Sequence, residues 1–491
     1  VKIAEHRDRL KVFVVIASYG EKNIHFLRHV IDRYQKMAME IDIVVTSEAP
    51  KSADLGVEVI TGLPTTNPYS LPFVHQRLFV DKVDQYDLYI YTEDDIGVAE
   101  DSIRAFLRLT EVLEPDELAG YVRYEADHDG TRHLPDVHGR FHWRPESVRR
   151  RGEHLVAEFT NEHSGFYILT NHHLRRAIRS GRYPTGPYHG RYDMLESAAT
   201  HVYVNCGLRK VICISEVDSF LVHHLPNRYI GHVGTPIAVF REQIETLMQV
   251  GDGSHPAATL CPVEPKVFES KWGKRYDETL TDELLMLLPA GMNGVLSIGY
   301  GSGEVERELQ RRGAAVTVFP LDSVVGASAA RQGLEVVNGS LEQCLDAVSG
   351  RAFDCVLVTN LLHLLPQPRE MLQRIGALVD ERGTLIVEGQ NFEHLPVLIG
   401  RAFRRGRYSK LRTFAESGLH TDGVDAIRRM LRVVGFEVTS LQWSDRHLSK
   451  PLAGLAGVLG RLGARAWIVR AERSAAHQTV VAARERQVAQ V

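Results

Sequence analysis

The sequence predicts an α/β protein of two domains, each organised around a largely parallel sheet. Three observations lead to this reading. At 491 residues the chain exceeds what one ordinary core holds, so two or three domains are expected. Apolar runs brief enough for buried strands alternate with helix-spaced patterns in two separate stretches. Between them Gly251-Asp-Gly-Ser-His-Pro256, followed by Pro262 and Pro265, interrupts the pattern. The division that results is a domain at 1–250, a linker at 251–274, a domain at 275–473 and a polar tail at 474–491, expected to be a loose helix or disordered.

Composition narrows the function classes. With 58 basic against 62 acidic residues the formal charge is -4, which argues against a bulk nucleic-acid binder. The cysteines Cys206, Cys213, Cys261, Cys344 and Cys355 are scattered and odd in number, so they read as buried thiols rather than zinc ligands or a disulfide frame. No apolar run reaches about 18 residues, and the expectation is a soluble, cytoplasmic protein.

In the first domain Lys11 to Ala17 is an apolar run closed by Ser18-Tyr19-Gly20. Ile24, Leu27, Val30, Ile31 and Tyr34 follow at helical spacing, and Ile41 to Val45 is a second run, ending at Thr46-Ser47-Glu48. That is strand, helix, strand, the unit that places ligands at the carboxyl ends of parallel strands. Val57 to Ile60 is a third strand, and a Pro-rich loop leads into a helix through His75, Arg77 and Val80. Leu88 to Tyr91 then forms a strand that ends in three consecutive acids, Glu93-Asp94-Asp95. Three carboxylates there are costly without a positive partner, and a divalent cation such as Mg²⁺ or Mn²⁺, itself holding substrate phosphates, is the simplest one. A solvated acidic turn is the plainer alternative.

This order of elements over roughly residues 10–240 resembles the nucleotide-diphospho-sugar glycosyltransferases of the GT-A type, whose sheet is mixed and Rossmann-like. Glu93-Asp94-Asp95 is similar to their Asp-x-Asp motif, with Glu93 in place of the first aspartate. The resemblance implies Asp95 and Glu93 on the metal, Ser18, Tyr19 and Asp94 toward the base, ribose or sugar, and Glu48 and Arg77 within the donor site. It also implies a catalytic base in an acidic pair at a helix start. Asp193 is the first choice and Glu196 the second, since residues three apart on a helix share a face, although Asp193 could equally favour the helix N-terminus alone. A late histidine on the metal is a further implication, and His223 or His224 could supply it, but adjacent strand residues face opposite ways, so only one can.

The second domain opens with Val295-Leu-Ser-Ile-Gly299-Tyr-Gly301-Ser-Gly303, a strand and a glycine turn entering a helix. Trp272 and Tyr276 are expected on a helix that lids it. Strands follow at 315–319, 335–337, 353–358, 383–388, 435–439 and 466–470. This series resembles the class I S-adenosylmethionine-dependent methyltransferases, in particular sugar and small-molecule O-methyltransferases, over roughly 275–473. The resemblance implies a Rossmann sheet with Gly299, Gly301, Gly303, Asp322 and His363 about the cofactor. Three departures stand against it: Ser297 replaces an acid before the first glycine, Pro320 replaces the acid that holds the ribose hydroxyls, and Gly339-Ser340 replaces the Gly-Asp that receives the adenine amino group. Each charge-assisted hydrogen bond lost is worth about 1.5–3 kcal/mol. An active domain using Asp322 and a retired domain kept for architecture or acceptor binding both remain open, the second being preferred.

Arg401 to Arg412 carries six basic residues and no acid. It reads either as a grip on an anionic glycan or lipid-linked diphosphate, or as a solvated insertion. The expectation overall is a metal-dependent sugar transferase acting on a glycan or lipid-linked glycan acceptor in polysaccharide synthesis, with peripheral contact at the inner face of the membrane and a methyltransferase-like second domain. The rivals are an S-adenosylmethionine-dependent sugar O-methyltransferase whose first domain only binds the glycan, and a non-catalytic scaffold.

Overall fold

The computed structural model describes residues 10–474 except 53, 136–140, 231–233, 268–271, 278, 405 and 445–459, with backbone alone at 406 and 407. The tail expected beyond Ser474 lies outside the described residues. The chain separates into two compact units, Val1–His255 and Pro256–Val491.

Unit 1 is built on several sheets rather than one. The first holds, in order, Phe166–Thr170, Leu88–Glu93, Lys11–Ala17, Glu40–Ser47 and Glu58–Thr61. Its last four strands are parallel, and Phe166–Thr170 is antiparallel to the acid-tipped strand. Six of the seven residues in Lys11–Ala17 are buried, which is why that run is uniformly apolar: helices and loops cover both faces of a parallel strand. The helix Ile24–Gln35 buries the stripe Leu27, Val30, Ile31 and Tyr34 that its spacing foretold. Register places Ala17 beside Thr46 on one side and Glu93 on the other, so Ser18, Glu48 and the acid triplet share one edge.

Two further sheets complete the unit. One contains Glu117–Ala119, Arg209–Cys213, His154–Phe159 and Trp143–Arg151; the other contains Thr235–Pro236, Arg132–Leu134, Val122–Ala126, Leu221–His224 and Ile96–Gly97. Pairing of His224 with Ile96 brings the histidine strand directly past the acid triplet.

Unit 2 is a single seven-stranded sheet in the order Glu335–Val336, Ala315–Pro320, Gly294–Tyr300, Phe353–Thr359, Val379–Gln390, Ala466–Arg473 and Phe436–Ser444. The first five strands are parallel, Ala466–Arg473 runs antiparallel to them, and Phe436–Ser444, antiparallel to that strand, points the same way as the first five. Strand order reverses at Gly294–Tyr300, which puts the crevice for a ligand at the carboxyl end of that strand.

Two expectations are corrected here. Residues 251–274 are no linker: the helix Ile237–Asp252 runs into them and stops at Gly253, whose left-handed backbone suits glycine. Leu260, Cys261, Val267 and Trp272 are then buried in the core of unit 2, where apolar contacts outweigh the local proline content. Nor do Trp272 and Tyr276 lie on a helix. They sit in turns, and among the described residues the first helix of the unit is Asp282–Leu287. Among the described residues no helix is long and apolar enough to cross a membrane.

Candidate functional sites

In unit 1 the acid triplet is folded into the protein rather than solvated. Asp94 and Asp95 are buried, at 5% and 6% exposure. Asp94 accepts the Ser18 hydroxyl at 2.6 Å and the Asn23 amide at 2.9 Å, and Asn23 also reaches Asp95 at 3.2 Å. Glu93 faces the buried His163, with Nε2 to Oε1 at 3.5 Å. That approach requires Gly165, which has φ +66°, and whose Cβ, were there one, would stand 3.1 Å from the Glu93 carboxyl. Asp95 meets His224 Nε2 at 3.5 Å and the Arg228 guanidinium at 3.4 Å. Glu48 accepts the Gly20 backbone N–H at 3.0 Å.

The electrostatics follow from this crowding. Burial, and next the charge of Asp95, push both Glu93 and Asp94 up to about 7; for Asp94 the Ser18 and Asn23 hydrogen bonds oppose the shift without cancelling it. His163 is driven well below the usual imidazole range by burial and by the nearby Arg123 and Lys210 charges. Burial would lower His224 too, but its bonds to Asp95 and Glu125 outweigh that and raise it. Burial thus holds Glu93 and Asp94 reluctant to ionise even though Arg123, His224 and Arg228 bear on the cluster.

Several expected roles change. Asp193 is not on the helix. It is the extended residue before Met194–Val204 and its side chain is 96% exposed, so the same-face reasoning does not apply to it. Glu196 is half-buried, and its carboxyl is raised by burial and by the charges of Glu93 and Asp193, which places it, not Asp193, on the side of the acid cluster. His223 turns away, stacked on Tyr124 at 4.8 Å and bonded to Asn227, while His224 is committed to Glu125 at 2.5 Å. Glu93, Asp95, His223 and His224 therefore do not converge as a ligand set, and among the described residues no three His, Cys, Asp or Glu side chains are arranged to hold a metal. Tyr19 is exposed, and Arg77 lies on the exposed side of the helix Val74–Asp81, with no hydrogen-bond or ion-pair partner among the described residues. Asn23, Arg123, His163, Lys210 and Arg228 were missed. The signal for His163 was available, since Glu162-His-Ser-Gly165 feeds the strand that pairs with Leu88–Glu93. Asn23 and Arg228 left no pattern of their own.

In unit 2 the glycine turn has the backbone its sequence implies. Gly299 (φ +100°) lies under Thr359, whose carbonyl oxygen would stand 2.8 Å from an added Cβ. Gly303 (φ +78°) opens the helix Glu304–Arg311. Gly301 is already covered: a Cβ there would meet the Arg275 carbonyl at 2.6 Å. Ser297, standing where an acid was expected, donates to the buried Glu306 at 2.5 Å, so a carboxyl is present at this spot but is supplied by the helix.

The nucleoside end of the crevice is different. Asp322 caps the helix Ser323–Arg331, accepting the Val324 and Val325 N–H groups at 2.9 and 3.0 Å, so it is not free to replace the missing ribose acid. Residues 258–261 run directly across the strand ends. Leu260 N–H donates to the Leu321 carbonyl at 3.0 Å, Ser323 N–H donates to the Ala258 carbonyl at 2.9 Å, and Leu341 N–H donates to the Leu260 carbonyl at 2.9 Å. The Cys261 thiol reaches the Leu364 carbonyl. Leu321 and Leu341 flank the positions expected to bind ribose and adenine. His363 is buried, bonded through Nε2 to the Trp272 carbonyl at 2.9 Å, and lowered to about 4 by burial. Beside it, His420, Asp422, Gln390, Phe392 and Trp467 line a cavity of only ≈ 20 Å³, room for about one water. The glycine turn thus fits a nucleoside cofactor and the nucleoside end, as it stands, does not.

Between about pH 4 and 7 folded Glu93 and Asp94 hold protons that the unfolded chain would release, so stability contributed by this cluster falls as pH rises through that window. Calorimetry from about pH 5 to about 8 should show the unit 1 transition moving down. Asp95→Asn, which removes the second cause of both shifts, should flatten that trend, and an unchanged slope in the variant would contradict the assignment.

The comparisons bear on unit 2. Residues 272–441 match a family model described as "Methyltransferase domain". Among solved structures, a putative S-adenosylmethionine-dependent methyltransferase from Listeria monocytogenes is 17% identical, covering 39% of this chain and 96% of that one at a TM-score of 0.30. A second from Mesorhizobium loti is 19% identical over 39% and 95%, at 0.29, and a third from Archaeoglobus fulgidus 15% over 38% and 87%, at 0.29. At these identities and scores they add nothing to the family match. No curated protein matches the chain. No comparison supports a GT-A glycosyltransferase in unit 1. What the second unit carries is thus a methyltransferase-like domain on a Rossmann-type sheet, matched over residues 272–441.

Proposed function

We propose that the chain is an S-adenosylmethionine-dependent O-methyltransferase whose cofactor enters unit 2 only when residues 258–261 leave the strand ends. The observation that carries this reading is the coincidence of the family match with the glycine turn at the point where strand order reverses. The cofactor, when bound, supplies an electrophilic methyl group. The chain supplies the rest. Gly299 and Gly303 give the turn its left-handed backbone where a side chain would not fit, and the Ser297–Glu306 pair sets a buried carboxyl beneath the turn. His420, with Nδ1 3.9 Å from Asp422, lines the adjoining water-sized cavity and is the base candidate for an acceptor hydroxyl once that cavity widens with the departure of residues 258–261. A sugar hydroxyl is the acceptor class proposed.

The closed crevice makes a quantitative expectation. An affinity is reduced by the fraction of molecules that are open, so loosening the segment tightens binding without touching the site. Leu260→Ala removes the segment's buried anchor, a change that typically costs about 2–5 kcal/mol in a core. Titration calorimetry of the full chain with S-adenosylmethionine should find binding at least about tenfold tighter in Leu260→Ala than in the parent. No binding by either protein defeats the methyltransferase reading. Equal binding by both leaves that reading standing and removes the gate.

A second reading, sugar transfer from a nucleotide donor by unit 1, is favoured by one specific observation. Ser18, Glu48 and three acids lie along the carboxyl edge of four parallel strands, with burial raising Glu93 and Asp94. Asp95, with Glu93 beside it, would hold a cation only together with the donor's phosphates, since the protein does not assemble a full ligand set. Glu196 is the base candidate here. A thermal-shift panel of sugar nucleotides with Mn²⁺ should then stabilise the parent and not Asp95→Asn, and stabilisation of neither would end this reading.

A further inference from the structure

The helix Leu395–Ala402 is unusual for what it leaves uncovered. Leu395, Leu398, Ile399 and Phe403 are 48%, 37%, 44% and 68% exposed, and their spacing of three, one and four places them on one face. The opposite face is anchored. Val397 is buried in the core of unit 2, and Gly400 fits against the Tyr408 ring so closely that a Cβ would stand 2.3 Å from it. Rotating the helix to hide its apolar face would therefore cost this packing. Four large apolar side chains on one exposed helical face go beyond the singly scattered hydrophobics of an ordinary surface.

The charge beside this face has one sign. The run 401–412 contains six basic residues and no acid. Arg404, Lys410 and Arg412 are exposed, and with Arg401 they have no ion-pair partner among the described residues. Of the acids close in sequence, Glu393 and Asp425 both pair with Arg461, and exposed Glu416, four residues past Arg412, forms no ion pair among the described residues. An apolar helical face flanked by uncompensated arginine and lysine matches the chemistry of a surface that inserts side chains among acyl chains while its cations meet anionic headgroups. A nucleic acid would use the charge and leave the apolar face in water.

We propose that Leu395–Phe403 and the adjoining basic run form a membrane-docking surface specific for anionic lipid, holding unit 2 at a bilayer without a transmembrane segment. Leu398, Ile399 and Phe403 enter the interface, and Arg401, Arg404, Lys410 and Arg412 select the headgroup charge. The surface is independent of which transfer reaction the chain performs.

Co-sedimentation of the full chain with vesicles of phosphatidylcholine alone, and of phosphatidylcholine mixed with phosphatidylglycerol, tests this. Binding is expected to the mixed vesicles only. It should weaken several-fold between about 0.1 M and about 1 M salt, as the Debye length falls from roughly 10 to 3 Å. The double variant Ile399→Asp with Phe403→Asp alters exposed side chains, so its melting transition should match the parent while vesicle binding drops at least tenfold. Absence of binding to anionic vesicles, or binding that the double variant leaves intact, overturns the proposal. So does a parent that self-associates in sedimentation velocity through this face and ignores vesicles, because the occupant would then be a second copy.

Discussion

Three backbone hydrogen bonds hold residues 258–261 across the strand ends of unit 2, and the reading of that unit depends on them. Backbone groups buried at a sheet's carboxyl edge must be satisfied by something. In a nucleotide-binding sheet that something is a ligand. Here Leu321 O and Leu341 N are satisfied by Leu260, and the side chain of Leu260 adds apolar burial to the two polar contacts. The same residues that make the crevice recognisable are thus spent on the chain itself. With Pro320 and Ser340 where carboxylates were expected, little charge is left there to compete for a cofactor.

Unit 1 meets the opposite problem at the equivalent edge. Its strand ends carry too many acids rather than too few, and the chain manages them by burial, by the Ser18 and Asn23 hydrogen bonds, and by His224 and Arg228 on Asp95. The compromise leaves Glu93 and Asp94 reluctant to ionise. Buried groups with shifted proton affinity are concentrated at functional sites, though ion-pair networks produce them as well. Glu117, enclosed by Arg149, Arg151 and Arg209, is such a structural case in the same unit, with its carboxyl drawn down to about 2.

Much of this was legible in the sequence, because both sheets are parallel at their centres and parallel strands announce themselves as short, uniform apolar runs. The glycine turn, the acid-tipped strand and the helix Ile24–Gln35 were all readable by that means. The failures have physical causes. Residues 251–274 looked like a linker because proline and glycine dominated the composition, while the buried Leu260, Val267 and Trp272 are separated too widely to show a period. Asp193 and Glu196 were paired on an assumed helix whose first residue proved to be Met194. The metal set failed because it joined residues from two strands and the turn between Glu93 and Ile96, whose side-chain directions only the three-dimensional register decides. Asp322 was expected to replace a ribose ligand, but a helix begins at Ser323, and an aspartate just before it caps the helix.

The central claim is that Leu260 occupies the place of the cofactor. Amide hydrogen exchange at Leu260 in the full chain, without and with saturating S-adenosylhomocysteine, tests it most directly. The account predicts a protected Leu260 amide in the free protein that becomes fast-exchanging when the ligand is bound, as its bond to the Leu321 carbonyl is given up. A Leu260 amide that exchanges freely before ligand is added, or that stays protected while ligand is bound, would contradict it.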